Sequence, residues 1–334
     1  MNCVSGAGIP DTRYLASPEF IATTLHWVTI IETPILTYGA YCILFKTPKR
    51  MTSVKWLMLN LHFWSCLSDL VISFIGIPYI LLPAPAGYGL GLLDSPKLML
   101  YSMVTLLAAI AASVLAIYEN RFFMLFAQKS WWKYFRKPYF LVICTMIPLI
   151  FLPPYFQIPD QENGLKMVLS KIPCQPVFTF GNRKVFVIAV DLTLIMYCIG
   201  IGTLVLATSI TLFGFLIFWK LFWMTMSNLS LSARTCHIQK KFATALTIQS
   251  TFMVSIVLVP VLTLLWILAK SYHDQALNNF VFIVLSLHGV GSTIMMIFVH
   301  KPYREFTFAR ICCFTQKWKK REREKRSYPA SIIL

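Results

Sequence analysis

The chain has 334 residues, of which 57% are hydrophobic and only 13% are charged. A soluble domain of this size could not bury that much apolar surface in one core, so the composition predicts an integral membrane protein. The formal net charge is +17. Such a charge can indicate nucleic-acid binding. The basic residues, however, lie in the linkers on one side of the predicted membrane and in the tail, so we expect no nucleic-acid partner.

Seven long apolar stretches predict an all-α bundle of seven transmembrane helices. Each stretch is long enough to cross a hydrocarbon core of about 30 Å at about 1.5 Å per residue. We expect an N-terminal segment over 1–19, a transmembrane domain over 20–300 and a basic tail over 301–334. The predicted spans are 20–45, 56–83, 98–120, 138–158, 186–219, 242–269 and 278–300.

The linkers between the stretches are alternately rich and poor in Lys and Arg. Of the 30 basic residues, 23 lie in every second segment and 7 in the others. Basic loops stay on the cytoplasmic side, so this asymmetry predicts an extracellular N-terminus and a cytoplasmic C-terminus. Seven spans in that orientation are the architecture of G-protein-coupled receptors, although topology alone does not establish a function.

Most of the predicted spans contain a proline. Pro34, Pro78, Pro83, Pro148 and Pro260 each remove a backbone donor, so each is expected to bend its helix. The proline- and glycine-rich run over 83–91 cannot continue a helix, so we expect an irregular extracellular loop there.

The ionisable side chains of interest inside the predicted spans are Glu32, Asp69 and Asp191, with His62 and His288, and Asp191 lies near the outer end of its span. Glu32, Asp69 and His288 all lie about 18–21 Å from the cytoplasmic boundary when residues are counted along their helices. No Lys or Arg lies at that depth, so we expect the three to form one polar cluster. The cluster is either a site for a ligand group, ion or proton that switches the bundle between two packings, or an interhelical hydrogen-bond network.

The third span ends in Glu119-Asn120-Arg121. An arginine at this position can hold two helix ends together in one state and face a partner protein in another, with the acid biasing that choice. The alternative is an ordinary positive residue at a cytoplasmic helix end.

The tail and the cysteines give further expectations. Residues after His300 suit a short helix on the inner leaflet, with Cys312 and Cys313 placed for palmitoylation and a basic run over 317–326 facing anionic lipid. Cys3 and Cys174 are on the oxidising side, where they either form a disulfide or remain free thiols.

Three segments together carry a family resemblance. They are the run from Ser53 through Ser65 to Asp69, the spacing Pro78, Pro83, Gly87, Gly91, and the ending Lys301-Pro302-Tyr303-Arg304. On these segments the chain resembles the nematode serpentine receptors of class H. The resemblance implies a plasma-membrane chemoreceptor, in the cilia of sensory neurons, that detects a small environmental molecule and activates a heterotrimeric G protein.

The receptor interpretation assigns roles to further residues. A ligand pocket is expected between spans 3, 5, 6 and 7, with Tyr101, Tyr197 and Trp266 as aromatic contacts. The G-protein contacts are expected at Arg121 with its neighbours Glu119 and Asn120, and at Lys240 and Lys241. We expect no cofactor and no enzymatic activity.

Other functional classes fit the sequence less well. A ligand-gated cation channel of the insect olfactory type also has seven spans, but its orientation is the opposite of the one predicted here. A membrane metal hydrolase would need grouped ligands such as His-x-x-x-His, and the six histidines show no such spacing, so we expect no metal site. A retinal pigment would need a lysine in the seventh span. A scaffold or decayed receptor stays open.

Overall fold

The computed structural model describes residues 13–48, 52–93, 95–169, 185–226 and 233–310. Within those residues, seven helices are long and apolar enough to cross a membrane, which confirms the seven-helix prediction. We number them span 1 to span 7: Pro18–Lys46, Val54–Gly76, Pro96–Ala127, Trp132–Phe156, Thr193–Trp223, Thr247–Lys270 and Gln275–Val299.

Several spans are built from more than one helical segment. Spans 2 and 3 end in π-helical turns, span 4 ends in a short separate helix, and span 7 is broken near its middle. The α-helices are Pro18–Lys46, Thr52–Leu70, Pro96–Phe122, Trp132–Ile150, Leu152–Phe156, Gln161–Leu169, Thr193–Met226, Ala233–Lys270, Gln275–Ser286 and His288–Val299, with a further helix over 301–310. The π-helical turns are Val71–Gly76 and Phe123–Ala127, and Tyr14–Ala16 is a 3-10 helix.

Capping residues define where several spans begin. Ser17 precedes span 1, and its hydroxyl accepts the backbone N–H of Phe20 at 3.1 Å. Asp274 precedes span 7 and accepts the N–H of Ala276 at 3.1 Å. Side-chain oxygens at these positions satisfy helix N–H groups that have no partner within the helix.

The chain after span 2 forms a β-hairpin, so the prediction of an irregular loop is wrong. Strand β1 (Pro78–Ile80) pairs antiparallel with β2 (Ala86–Gly89), and β2 also pairs with β3 (Phe186–Val187). Span 2 ends at Gly76 because Ile77 adopts a left-handed conformation with φ 43°. Pro78 and Pro83 therefore lie in the hairpin and bend no helix, whereas Pro34, Pro148 and Pro260 lie inside helices.

The hairpin fills one end of the bundle. Tyr79, Leu81 and Tyr88 are buried, and the Tyr79 hydroxyl donates to the carbonyl of Ala16 at 2.8 Å. We call this end of the bundle the hairpin end. The opposite end, which carries Arg121 and the helix over 301–310, is called the tail end.

The spans differ in how deeply they are packed. In the most apolar window of each span, span 7 is 61% buried and span 2 is 50% buried, followed by span 3 at 39% and span 1 at 28%. Span 5 reaches 17%, span 6 reaches 12% and span 4 reaches 11%. Spans 1, 2, 3 and 7 therefore form a packed group, which we call the inner group, and spans 4, 5 and 6 form an outer group.

Candidate functional site

Asp69 contacts span 7 at the point where that span is broken. The break lies at Leu287, between Gln275–Ser286 and His288–Val299. Asp69 Oδ1 is 2.7 Å from His288 Nδ1, which donates to it, and Gly289 N also donates to Oδ1 at 3.3 Å. A carboxylate at this position accepts from the first N–H groups of the second half-helix and is favoured by its dipole.

The approach of Asp69 requires glycine at position 289. A Cβ atom on Gly289 would overlap Asp69 Oδ2. Asp69 and His288 are both fully buried. The pair therefore ties span 2 to span 7 without contact with water or lipid.

Glu32 lies beside this pair, on span 1. Ser73 donates to Glu32 Oε1 at 2.8 Å, and Thr29 donates to Ser73 Oγ at 2.9 Å. The carboxyl group is 2% exposed and close enough for its charge to interact with those of Asp69 and His288. The structure thus brings the three sequence-predicted residues together at one level of the bundle, and we call them the acid–histidine cluster.

The cluster keeps unused hydrogen-bonding capacity. Among the described residues, several buried atoms around it have no hydrogen-bond partner: Glu32 Oε2, Asp69 Oδ2, His288 Nε2, Ser65 Oγ and Ser68 Oγ. Buried polar groups of this kind are costly when unpaired, so a small rearrangement that pairs them has a driving force. In the described part of the chain, no three His, Cys, Asp or Glu side chains are grouped to hold a metal ion.

His62 provides a second link within the inner group. Its Nε2 donates to the carbonyl of Leu36 on span 1 at 2.9 Å, and its Nδ1 is 3.5 Å from Thr293 Oγ1 on span 7. Gly39 allows this packing, since a Cβ there would be 3.0 Å from the His62 ring and would overlap Thr293.

At the tail end, Glu119 binds two side chains of span 4. Its Oε2 accepts from Arg136 Nη2 at 2.9 Å, and its Oε1 accepts from Trp132 Nε1 at 2.8 Å. The Arg136 guanidinium also lies 4.0 Å from the centre of the Phe123 ring. Asn120 contributes a longer contact, with its Oδ1 at 3.5 Å from Arg136 Nη2. Glu119 therefore links span 3 to span 4, and its influence on Arg121 stays a prediction.

Arg121 lies near the junction between span 7 and the helix over 301–310. His300 at that junction is 4% exposed, and its Nε2 donates to Gln249 Oε1 on span 6 at 3.2 Å. Burial, together with the positive charge of Arg121, lowers the pKa of His300 to about 4. His300 is therefore neutral at physiological pH, and Arg121 provides the cation at this position.

The other predicted coupling residues are less well placed. Lys241 is exposed on the tail-end part of the helix that contains span 6. The side chain of Lys240 lies outside the described residues. The structure therefore adds no contact between these lysines and Arg121.

The helix over 301–310 packs against the tail end of span 1. Tyr303 is fully buried, with its hydroxyl 2.8 Å from Thr47 Oγ1, and Tyr38 OH is 2.9 Å from Thr307 Oγ1. Lys46 Nζ lies 4.5 Å from the centre of the Phe306 ring. The predicted short helix after span 7 is present. Cys3, Cys174, Cys312, Cys313 and the basic run over 317–326 lie outside the described residues.

The three aromatic residues expected in a ligand pocket do not lie together. Tyr101 lines a narrow cleft at the hairpin end, between spans 3, 4 and 5, and its hydroxyl donates to the carbonyl of Pro148 at 3.1 Å. Tyr197 is 65% exposed, and Trp266 is 48% exposed and packs on Tyr272. Tyr197 and Trp266 lie on outward faces of the outer group. Side chains at the same depth in the membrane do not share a site when their helix faces point in different directions.

Comparison with known proteins assigns the family. The family model described as "Serpentine type 7TM GPCR chemoreceptor Srh" matches residues 16–313. The chain belongs to the Srh family. "Serpentine receptor class H-72" of Caenorhabditis elegans is 25% identical over 310 residues, which cover 89% of this chain and 87% of that protein. The resemblance predicted from the three motif segments is thereby confirmed.

Membership in the Srh family makes the chain a seven-transmembrane chemosensory receptor and a multi-pass membrane protein. The Srh motif segments take different structural roles. Asp69 accepts a hydrogen bond from Gly289 at the break in span 7, and the Pro78-to-Gly91 segment forms the hairpin. Tyr303 joins the last helix to Thr47 at the end of span 1.

Sequence reasoning missed several residues of these sites. The roles of Ser73, Gln249 and His300 come from hydrogen bonds to residues far away in the sequence: Ser73 to Glu32, and His300 to Gln249. The break in span 7 left a weak signal, because Gly289 and Gly291 stand close together beside His288. Glycine inside an apolar helix often marks a close approach of another group.

Proposed function

We propose that this Srh receptor detects a small environmental molecule at the hairpin end and activates a heterotrimeric G protein at the tail end. The hairpin end would face the outside of the cell, as the distribution of basic residues favours. The plasma membrane of sensory cilia is the proposed location, and no cofactor or catalytic step is part of the proposal.

The observation that supports coupling is the contact between spans 6 and 7 beside Arg121. His300 is a neutral, buried donor to Gln249, and Arg121 is the nearby cation on span 3. One hydrogen bond thus joins span 6, a member of the outer group, to span 7. Separation of span 6 from span 7 would break this bond and expose Arg121 to a partner, which is a two-state element of the kind that receptors need.

The acid–histidine cluster is the proposed switch of the inner group. It joins spans 1, 2 and 7 at the break in span 7 and contains unpaired buried polar atoms. A ligand group, ion or proton that changes the pairing of Asp69 with His288 would change how the two halves of span 7 meet. The family assignment and this geometry together favour a role in signalling over a purely structural network.

The tail is proposed to contact anionic lipid of the inner leaflet. The helix over 301–310 carries exposed Lys301, Arg304 and Arg310, and it packs on span 1 next to Lys46. Palmitoylation at Cys312 and Cys313 would hold this helix at the membrane surface, since stable anchoring needs two signals.

The first test determines topology. Full-length receptor carries one epitope tag at each terminus, and antibody is applied before and after permeabilisation of the cells. We expect the N-terminal tag to be accessible on intact cells and the C-terminal tag to be hidden. The reverse pattern would contradict the proposal and favour the inverted-topology cation channel.

The second test measures coupling. Purified receptor is reconstituted with a panel of heterotrimeric G proteins, and nucleotide exchange is measured with a set of small alcohols, ketones, esters and acids. We expect exchange to be stimulated and Arg121→Ala to abolish it. Arg304→Ala, on the exposed face of the last helix, is the control and should retain most of the activity. Absence of exchange with every G protein, together with a ligand-induced membrane current, would refute coupling.

A further inference from the structure

The cleft between spans 3, 4 and 5 contains a single cationic side chain in an apolar lining. The lining includes Tyr101, Phe151, Tyr155, Ile195 and Ile199, and Lys97 lies at its hairpin-end margin. Lys97 Nζ is 4.0 Å from the centre of the Tyr155 ring. A cation held over an aromatic face is positioned by the ring while its N–H donors stay available for another group.

Lys97 has no carboxylate partner among the residues that the structure describes. The ion pairs found there involve Arg13, Arg136, Lys166, His288 and Lys301. Lys97 is half-buried, two residues after the Ser95 cap of span 3. A half-buried ammonium group beside an apolar lining is a place where an incoming anion gains a charge-assisted hydrogen bond.

The hairpin occupies the centre of the inner group at this end. Between spans 1, 2, 3 and 7 the space is filled by Tyr79, Leu81 and Tyr88, and the carbonyl of Leu82 accepts from His273 and Asn278 next to span 7. The cleft lies instead on the flank, where Ile195 and Ile199 of span 5 are half-buried. An apolar chain in that position would be covered partly by protein and partly by lipid.

We propose that this flank cleft binds a single-chain amphiphilic acid, with its carboxylate on Lys97 Nζ and its hydrocarbon chain along the open side of the cleft, where spans 3, 4 and 5 cover one side of it and lipid the other. This inference rests on the proposed receptor function and specifies the chemical class of its ligand. Tyr101 and Tyr155, whose rings contact each other edge to face with centres 5.5 Å apart, form one aromatic wall beside the start of the chain. Neutral molecules of the same shape gain only the apolar contacts.

The test uses straight-chain carboxylic acids of four to twelve carbons, with the matching primary alcohols and methyl esters as probes. Receptor is reconstituted in nanodiscs of zwitterionic lipid, and binding is followed by thermal unfolding while nucleotide exchange on the G protein is recorded separately. We expect acids to bind at least about tenfold more tightly than the matching alcohols. Each added methylene should strengthen binding roughly fourfold until the cleft is filled.

Variants of two lysines make the test specific. Lys97→Met should remove the preference for acids, and Lys97→Arg should retain it. Lys133→Met is the matched control, because Lys133 Nζ also lies over a tyrosine ring, 4.6 Å from that of Tyr134, but far from the cleft. The control variant should bind acids as the unaltered receptor does.

The outcomes separate this proposal from the receptor function. Equal binding of acids and alcohols, or acid binding that survives Lys97→Met, would overturn the proposed ligand class. If acids bind only when Lys97 or its arginine replacement is present, the site is supported even where nucleotide exchange does not respond, and the coupling proposal then fails by itself. Exchange stimulated by neutral compounds alone would leave the receptor function standing and overturn the acid site.

Discussion

The inner and outer groups of spans differ in both packing and chemistry. Spans 1, 2 and 7 contain the buried ionisable side chains Glu32, Asp69, His62 and His288, and their interfaces have no room for a Cβ at Gly39 or Gly289. Span 5 has Gly200, where a Cβ would meet no atom within 4 Å. Lipid provides no hydrophobic driving force between helices, so close packing and polar contacts determine which helices associate firmly.

The two groups of spans are therefore expected to have different roles. The inner group is held together by the hairpin and the acid–histidine cluster, and the pairing within that cluster is the proposed switch at the break in span 7. The outer group leaves most of its surface outside the bundle, meets span 3 at the cleft beside Lys97, and contacts the inner group at the tail end through Gln249 and His300. Movement that links the two ends of the bundle is therefore expected in spans 4, 5 and 6, together with a rearrangement at the break in span 7.

The largest effect is expected for Gly289→Ala. The added Cβ overlaps Asp69 Oδ2, so either the Asp69–His288 pair or the break in span 7 must move. Overpacking of this kind should lower the free energy of unfolding by about 3 kcal/mol. Thermal or denaturant unfolding of purified receptor measures the change.

Gly200→Ala is the matched control for that variant. It lies in span 5, where the new methyl group meets only open space, so its effect should be within about 0.5 kcal/mol. Similar losses at both positions would contradict the contrast between the two groups.

The second effect is a pH dependence that comes from His300. Its folded-state pKa of about 4 is below the ordinary value of 6.5, so the unfolded chain binds more protons between those values. Stability from the neutral histidine is complete above about pH 6.5 and declines as the pH falls towards 4. At pH 5 the loss should be about 2 kcal/mol relative to pH 8.

Removal of His300 should remove this dependence. His300→Gln keeps a hydrogen-bonding side chain next to Gln249 but does not titrate. The difference between its free energies of unfolding at pH 5 and pH 8 should therefore be about 2 kcal/mol smaller than that of the unaltered receptor. His26→Gln, at an exposed histidine on span 1, should retain the full loss. An unchanged pH dependence in His300→Gln would show that other groups are responsible.

The third effect concerns the contact between span 3 and span 4. Glu119→Gln weakens two bonds, to Arg136 and Trp132, and leaves the Arg136 cation next to Phe123 without a carboxylate. We expect a loss of about 1.5 kcal/mol in the free energy of unfolding. Glu162→Gln breaks only an exposed pair with Lys166 and should have no measurable effect. A larger loss in Glu162→Gln than in Glu119→Gln would contradict the assignment of Glu119 as the link to span 4.

The sequence predicts the parts of this molecule that follow from local chemistry. Apolar run lengths identify the seven spans, and counting along helices puts Asp69 and His288 at one depth, where the structure joins them. The hairpin was not predicted, because its strands depend on pairing with each other and on hydrogen bonds from His273 and Asn278.

Contacts between residues far apart in the chain are the part that the sequence does not predict. Glu119 stands next to Asn120-Arg121 in the sequence, yet its donors come from Trp132 and Arg136 on the following span. Tyr197 and Trp266 have suitable depths for a pocket, but depth does not specify which way a helix face points. Helix rotation is determined by packing against neighbours, which a single sequence does not contain.

The smallest effect on stability, and the sharpest test of the inner group as a switch, is expected for Asp69→Asn. Asparagine keeps an oxygen that accepts the Gly289 N–H but loses the charge that pairs with His288. We expect the free energy of unfolding to fall by only about 1 kcal/mol, with surface expression retained. The response of the G protein should change, because the contact between span 2 and the first residues of the second half of span 7 is altered. Asp191→Asn is the control: its carboxylate is exposed and accepts from Thr193 at the start of span 5, outside the inner group. Dose-response curves that are the same for Asp69→Asn and the unaltered receptor would refute the switch and identify the cluster as a structural hydrogen-bond network.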